Sequence, residues 1–167
     1  TMDAASIRPT LPPGLKMAGI DLHHDRRLLA HFENARMSPE LGSLLKDERQ
    51  IRFQARLADG TVDGRAVVAD AGPSGLLRAE ADLDRIRLER LDAIKTIDRF
   101  GLSGFLKGHL THDSGSAPAG MTNGKLNASA LRIALKQPFF GISELIMDQA
   151  DAELSFNGRT LRLKSLT

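Results

Sequence analysis

Residues 50–88, QIRFQARLADGTVDGRAVVADAGPSGLLRAEADLDRIRL, decide the fold of this chain. From Ile51 to Leu57, apolar side chains at odd positions alternate with polar side chains at even positions. This period of two is typical of a strand with one buried face. At Asp59-Gly60 the sequence predicts a turn, because glycine adopts a positive φ at little cost.

The next two strands follow the same plan. A second strand is predicted over residues 62–69, GPSG at residues 72–75 predicts a turn, and a third strand begins at Leu76. Strands joined by tight turns form an antiparallel meander, in which neighbours in sequence are neighbours in the sheet. The third strand changes phase near Asp84-Arg85, because its apolar residues lie at odd positions before this point and at even positions after it. This shift predicts a β-bulge, a bend or the end of the strand.

The N-terminal part contains two further strands. Residues 1–14 include three prolines and predict an irregular lead-in. Alternation predicts strands over residues 15–22 and 27–36, with a polar turn at residues 23–26 between them.

Two short helices are predicted between strands. The first runs from the start signal Ser38-Pro39-Glu40 to about Arg49, with an apolar stripe formed by Leu41, Leu44 and Leu45. The second covers about residues 89–99, with apolar residues at Leu91, Ile94 and Ile97, and stops at Gly101.

The C-terminal part returns to strands. Its predicted elements are, in order, a strand over residues 102–112, a loop over 113–119, a paired set over 121–135 broken at Ser129-Ala130, a turn over 138–141, a strand over 150–156, a hairpin turn at Asn157-Gly158 and a last strand from Leu161. Residues 142–147 fit a short helix and a strand equally.

The fold class predicted from these elements is mainly β. We expect a curved antiparallel meander of nine or ten strands, shaped as a half-barrel or groove, with two short helices, forming one β-rich domain over residues 15–167. One apolar and one charged face per strand argues against a parallel sheet buried under helices.

Composition excludes several classes of function. The 167 residues include 23 basic and 21 acidic side chains, and the basic residues alternate with acidic ones and lack the clustered aromatics of nucleic-acid binders. The absence of cysteine excludes disulfides, thiolate metal sites and thiol nucleophiles. No run of about 18 apolar residues is present, so no transmembrane helix is expected within this sequence.

No group of residues predicts catalysis, a cofactor site or a metal site, and we do not expect an enzyme. On strands, the neighbours His23 and His24, and likewise His109 and His112, point to opposite faces and cannot share a metal. The carboxylates of the third strand and of the later one are predicted to form a solvated charged face: Glu80, Asp82, Asp84, Asp151 and Glu153.

Apolar stripes are the positive signal for binding. Seven residues are predicted to share one sheet face, either as core or as a groove for acyl chains or for a partner's apolar segment: Leu102, Leu106, Leu110, Leu126, Ile133, Leu154 and Phe156. Edge strands offer a second route, strand addition by a neighbouring protein.

The succession of glycine-punctuated strands resembles a known family. LSGFLKGHL at residues 102–110 is preceded by GTVDGRAVV and LLRAEADLDRIRLERLDAIKTI, and is followed by NGKLNASALRIAL and ADAELSFNGRTLRLKSL. This order, over most of residues 11–167, resembles the periplasmic region of the GspN family of bacterial type II secretion systems, which is similar to the AsmA-like group.

The resemblance implies a non-catalytic accessory component of the secretion apparatus that acts through other secretion-system proteins. It implies a periplasmic domain from a longer chain, with an inner-membrane anchor outside this sequence. AsmA-like relatives are thought to cradle lipid in a β-groove, so the alternative expectation is a lipid-binding or lipid-transfer module. The family has no catalytic residues to transfer to this chain.

Overall fold

A computed structural model describes residues 2–10, 13–24, 27–43, 48–69, 75–95, 100–116, 120–157 and 160–166. In these residues the chain forms one sheet of ten antiparallel strands, in which the order of the strands in space is their order in sequence. The predicted mainly β meander is confirmed, and the sheet is not closed into a barrel.

The strands of the described residues are β1 Met2–Thr10, β2 Gly14–His24, β3 Arg27–Pro39, β4 Glu48–Leu57, β5 Gly60–Ala69, β6 Leu76–Arg87, β7 Phe100–Asp113, β8 Met121–Phe139, β9 Ile142–Phe156 and β10 Leu161–Leu166. Residues 142–147, which fit both a helix and a strand, belong to β9. The polar turn predicted at residues 23–26 is wrong for His23 and His24, which belong to β2. Residues 25–26 lie outside the described residues.

The irregular lead-in predicted for residues 1–14 is also wrong for most of its described part. β1 pairs with β2 from Met2 opposite Leu22 to Thr10 opposite Gly14. Pro9 is tolerated in this ladder because β1 is an edge strand of the described sheet, and an edge strand can leave one side without main-chain hydrogen bonds.

In the described residues neither predicted helix forms as one continuous helix. Leu41–Ser43 is a 3-10 turn, and β4 already begins at Glu48. The buried Ser43 hydroxyl donates a hydrogen bond to the Glu40 carbonyl oxygen (2.7 Å) and accepts one from the Gln50 N–H (2.9 Å), so it ties this turn to the start of β4. Leu44 and Leu45 lie outside the described residues.

The second predicted helix forms two separate turns in the described residues. Leu88–Arg90 is a 3-10 turn and Asp92–Lys95 is a single α-helical turn, α1. Residues 96–99 lie outside the described residues, and Phe100 begins β7. α1 contacts β3, so this segment reaches back over the sheet from the end of β6.

The turn between β4 and β5 forms as predicted, but the residues with a positive φ are not the predicted one, Gly60. Ala58 and Asp59 have φ values of 48° and 64°, and Leu57 pairs with Gly60. This is a two-residue turn of the primed type, whose twist matches that of the flanking strands. Gly60 is required for space, because a Cβ there would lie 2.5 Å from the Asp84 carbonyl oxygen.

The register shifts in seven of the nine strand pairs of the described sheet, and two of these shifts fall where the sequence predicts a change. The one predicted near Asp84-Arg85 is confirmed: the pairing of β6 with β7 shifts between Leu83 and Ile86, and Arg85 has a φ of 51°. The break predicted between two paired segments at Ser129-Ala130 is a bulge within the single strand β8, where Ala130 has a φ of 49°.

The other predicted turns fall where the structure describes them only in part. Phe140 and Gly141 form the β8–β9 turn within the predicted residues 138–141. At the next hairpin the Thr160 N–H donates to Asn157 Oδ1 (2.8 Å), while Gly158 lies outside the described residues. Residues 114–116 form a 3-10 turn in the predicted loop, and residues 70–74 are not described.

The best-packed core lies on one face of the N-terminal half of the sheet. Its buried members are Met17, Ile20, Ala35, Ala55, Ala58, Val62 and Ile86. Leu91, from the segment that reaches back over the sheet, packs against this cluster, as does Leu106 of β7. The core is therefore held between β2–β7 and the turn segment that follows β6.

We predict that Gly60→Ala lowers the free energy of unfolding by about 1–3 kcal/mol, because the new methyl group meets main-chain atoms that cannot move aside cheaply. Gly42→Ala is the matched control, since a Cβ at Gly42 has nothing within 4 Å. Urea unfolding followed by far-UV circular dichroism measures both. Equal stabilities of the two variants would show that the β5–β6 contact is not close.

Candidate functional site

The seven apolar residues predicted to share one face all lie on β7, β8 and β9. The register pairs them with one another or with small side chains: Leu102 with Ile133, Leu106 with Ala128, Gly108 with Leu126, Leu110 with Gly124, Gly124 with Leu154, and Thr122 with Phe156. Antiparallel partners point to the same side of a sheet, so the pairing joins these residues into one surface across three strands. We call these seven residues the open apolar face.

The open apolar face is less buried than the core. Phe156 is 39% exposed, whereas Ile86 in the core is 1% exposed, and the other six side chains are half-buried. On the neighbouring strand β10, Leu163 pairs with Leu154 and is 59% exposed. The described part of the chain therefore leaves this half of the apolar side in contact with solvent.

Two glycines shape this surface. A Cβ at Gly108 would lie 2.5 Å from Leu126 Cδ2, and one at Gly124 would lie 2.7 Å from Leu110 Cδ2. The leucine side chains thus lie flat over the backbone of the adjacent strand. Alternation alone does not predict this role for the two glycines, but their placement beside leucines in LKGHL and NGKL is a sequence signal for it.

The opposite face of the sheet is covered by cross-strand polar pairs. Glu80 pairs with Arg65, Asp82 with His109 (2.7 Å), Asp84 with Lys107 (3.0 Å), Asp151 with Asn127 (2.8 Å) and Glu153 with Lys125 (3.2 Å). These are the carboxylates predicted to form a solvated charged face, and that prediction is confirmed. Exposed pairs of this kind contribute little to stability because water screens them.

The histidines are divided between the two faces. His109 contacts Asp82 on the polar side. His112 lies opposite Ala79 in the ladder, and His112 Nδ1 lies 2.9 Å from Thr122 Oγ1. Their predicted opposite orientation is confirmed. The side chain of His24 lies outside the described ones. Among the described residues, no group of three or more His, Asp or Glu side chains is arranged to hold a metal ion.

A shallow depression of about 530 Å³ lies on the polar face and includes Arg65, Arg78 and Glu80 in its lining. Both arginines in it are in ion pairs, Arg65 with Glu80 and Arg78 with Glu48 (3.5 Å). Because these charges are already compensated, the depression presents no strong attraction for an anion.

A second apolar surface lies at the distal part of the β8–β9 hairpin, outside the seven residues predicted to share one face. The exposed fractions are 90% for Phe140, 47% for Ile142, 44% for Leu145, 60% for Ile146 and 37% for Met147. Three consecutive apolar residues, 145–147, place large side chains on both faces of a strand, which is the sequence signal for this surface.

None of the helices in the described residues is long and apolar enough to cross a membrane. Comparisons of this chain with protein-family models, with curated proteins and with solved structures find no match. The candidate site is therefore defined by its own geometry: an open apolar face on one side and an ion-paired face on the other.

We predict that Lys107→Ala raises the pKa of Asp84. In the folded chain this pKa is lowered, first because Lys107 donates a hydrogen bond to the carboxylate and then because Arg85 does so, while partial desolvation opposes the shift. A lowered folded-state pKa means that this interaction stabilises the fold above the unfolded-state pKa and is lost as pH falls through the folded-state pKa.

Carbon-13 NMR titration of the Asp84 carboxyl group measures the change. Lys125→Ala, which removes the partner of Glu153 instead, is the matched control and should leave Asp84 unaffected. An unchanged titration of Asp84 in the Lys107→Ala variant would contradict the assigned pairing.

Proposed function

We propose that this chain is a non-catalytic accessory component of a bacterial type II secretion system, acting in the periplasm through contacts with other secretion-system proteins. Its full polypeptide would be anchored to the inner membrane. The observation that carries the proposal is the open apolar face, because contiguous exposed apolar surface bordered by polar residues is typical of protein interaction sites.

The distribution of ionisable groups supports a non-catalytic role. Acid–base and nucleophilic catalysis need several polar groups that converge on one point. Here the described pairs follow the strands one after another, from Arg52–Glu40 through Lys107–Asp84 to Lys125–Glu153. In the pairs Lys107–Asp84 and Lys125–Glu153 the carboxylate faces a cation on the neighbouring strand, which is the arrangement of a solvated surface.

The family resemblance supports the assignment to secretion. The segments on which it rests coincide with structural elements: GTVDGRAVV lies in β5, LSGFLKGHL in β7 and NGKLNASALRIAL in β8. The glycines of these motifs are needed for close approach of strands at Gly60, Gly108 and Gly124. The glycine pattern on which the resemblance rests is therefore one that the packing of this meander requires.

A second candidate function is lipid binding or transfer, in the manner suggested for AsmA-like proteins. The aliphatic composition of the open apolar face favours lipid binding. Six of its seven members are aliphatic, and leucine methyl groups lie close over Gly108 and Gly124. An acyl chain gains free energy on such a surface by removing apolar area from water.

We predict that the tagged wild-type chain, produced in a bacterium with a type II system, co-purifies from envelope extracts with other secretion-system proteins. The double variant Phe156→Ser, Leu163→Ser should reduce this recovery by about ten-fold, which corresponds to about 1.4 kcal/mol. Both side chains are exposed, so their replacement leaves the core intact. Arg162→Ser with Lys164→Ser, on the same strand, is the control.

Failure of the wild-type chain to recover any secretion-system protein would contradict the first proposal. Native mass spectrometry of the same samples tests the second. A bound lipid that is present in the wild-type chain and lost in the Phe156→Ser, Leu163→Ser variant would favour the lipid module, and a clean apo mass would reject it.

A further inference from the structure

Three basic residues that are far apart in the sequence lie side by side on the polar face of the sheet. Arg8 of β1 is directly opposite Lys16 of β2, and Lys16 is directly opposite Arg36 of β3. Directly opposed residues on antiparallel strands have Cβ atoms about 4.5–5.5 Å apart, and like charges in such pairs destabilise a sheet. We call Arg8, Lys16 and Arg36 the basic row.

The basic row has no acidic partner among the described residues. All three of its side chains are exposed, and none of them takes part in a described ion pair. The described carboxylates between residues 3 and 48 lie beside other groups: Asp3 beside His23, Asp21 beside His31, Glu33 beside Arg56, Glu40 beside Arg52 and Glu48 beside Arg78. The charges of the row are therefore uncompensated within this part of the chain.

The positions around Lys16 and Arg36 are occupied by known residues, because β2 and β3 both have a strand on each side. Apart from the row itself, the residues directly opposite them or two positions along their own strands are neutral: Gly14, Ala18, Asn34, Ser38 and Gln54. The first carboxylate along this line is Asp63, and the Gln54 amide already donates to it (2.6 Å). The register itself therefore concentrates positive charge at this place.

The basic row borders a depression of about 600 Å³ on the polar face. A volume of this size is typical of small-molecule sites. The polar side chains in its lining are Lys16, Arg36, Arg56, Asn34, Gln54 and Thr61, and no carboxylate is among the described lining residues. Arg56 is the one of these cations with a described carboxylate nearby, Glu33 at 3.9 Å. The depression beside Arg65 and Arg78 differs, because both of its arginines are in ion pairs.

We propose that the depression beside the basic row binds a phosphate group, with Lys16 and Arg36 as the principal cations. A phosphate monoester carries about −1.5 to −2 charges at pH 7, which matches two uncompensated cations. The guanidinium of Arg36 can bind two phosphate oxygens at once, and Lys16 supplies a point charge beside it. The site lies on the face opposite to the open apolar face, and the proposal does not rest on the proposed function.

Two other kinds of anion fit the depression less well. A carboxylate ligand carries a single charge, so it would leave one of the two central cations uncompensated. Single-stranded nucleic acid is usually held by a basic groove together with aromatic side chains on which its bases stack. The described lining of the depression contains no aromatic residue. A phosphate group needs only the charges and hydrogen-bond donors that are present.

The test uses the full chain labelled with nitrogen-15 and two probes. The first is inorganic phosphate, titrated against sodium chloride at equal ionic strength. We expect saturable chemical-shift changes at Lys16, Arg36 and Thr61 that weaken as salt is added. The second is phosphatidylcholine vesicles with and without phosphatidic acid, whose headgroup is a phosphate monoester. Sedimentation at least about ten-fold stronger with phosphatidic acid would identify a lipid headgroup as the source of the phosphate, and binding of inorganic phosphate alone would identify a soluble ligand.

A pair of double variants separates the site from general attraction. Lys16→Gln with Arg36→Gln should weaken phosphate binding at least about ten-fold, because both central charges are lost. The matched control, Lys125→Gln with Arg132→Gln, makes the same change in net charge on β8, where these cations pair with Glu153 (3.2 Å) and Glu144 (3.7 Å). This control should leave phosphate binding unaltered. Urea unfolding should show that Lys16→Gln with Arg36→Gln is at least as stable as the wild-type chain, because like charges no longer face each other.

The proposal is overturned if neither probe binds, if the shift changes lie away from β2, β3 and β4, or if the two double variants bind phosphate equally well. None of these outcomes bears on the secretion assignment, which depends on the recovery of secretion-system proteins from envelope extracts. Failure of that recovery would in turn leave the phosphate site untouched.

Discussion

The structure depends on keeping the apolar side of one long antiparallel ladder on the same face of the sheet. Side chains alternate with a period of two, so a shift of one residue would turn a strand's apolar set into solvent. The chain corrects such shifts with extra residues: at Asp84-Arg85 in β6 and at Ala130 in β8. These bulges allow Leu83 and Ile86 of β6, and Leu126 and Leu131 of β8, to serve one apolar side although the two members of each pair differ in parity.

The apolar side of this sheet is covered by another segment over its N-terminal half, and no described segment covers it over its C-terminal half. The segment from Leu88 to Lys95 reaches back over the N-terminal half, where Ile86 and Val62 are buried. It is held there by contacts to the β4–β5 turn, because the Arg87 N–H bonds to the Ala58 carbonyl oxygen (3.0 Å) and Arg90 pairs with Asp59 (2.9 Å). No described segment does the same for the C-terminal half, so its apolar side remains the surface from which a binding function is proposed.

Most of the sheet could be predicted from the sequence, because alternation and turn residues are local signals. The pairs from Ile51 to Leu57, the bulge at Asp84-Arg85 and the order of the strands followed directly from them. The errors arose where a tertiary contact decided the outcome. Prolines predicted an irregular lead-in, yet β1 pairs with β2 because an edge strand tolerates Pro9. Leucine spacing predicted a helix after Glu40, yet the bonds of Ser43 close a single turn.

The sequence predicts which residues form the candidate site, but it does not predict how exposed they are. Alternation correctly placed residues such as Leu110, Leu126 and Leu154 on strands that share a surface. It could not show that the covering segment stops at the N-terminal half, since that depends on where Leu91 packs.

Thiol labelling tests the central claim most directly, because the chain has no cysteine of its own. Single cysteines at Phe156, Leu163 and Val62 sample the uncovered half and the covered half of the same apolar side, where these residues are 39%, 59% and 8% exposed. The account predicts that Phe156→Cys and Leu163→Cys react with a soluble thiol reagent at least about a hundred-fold faster than Val62→Cys in the native state. Equal protection of all three cysteines would contradict it, since the apolar side would then be covered along its whole length.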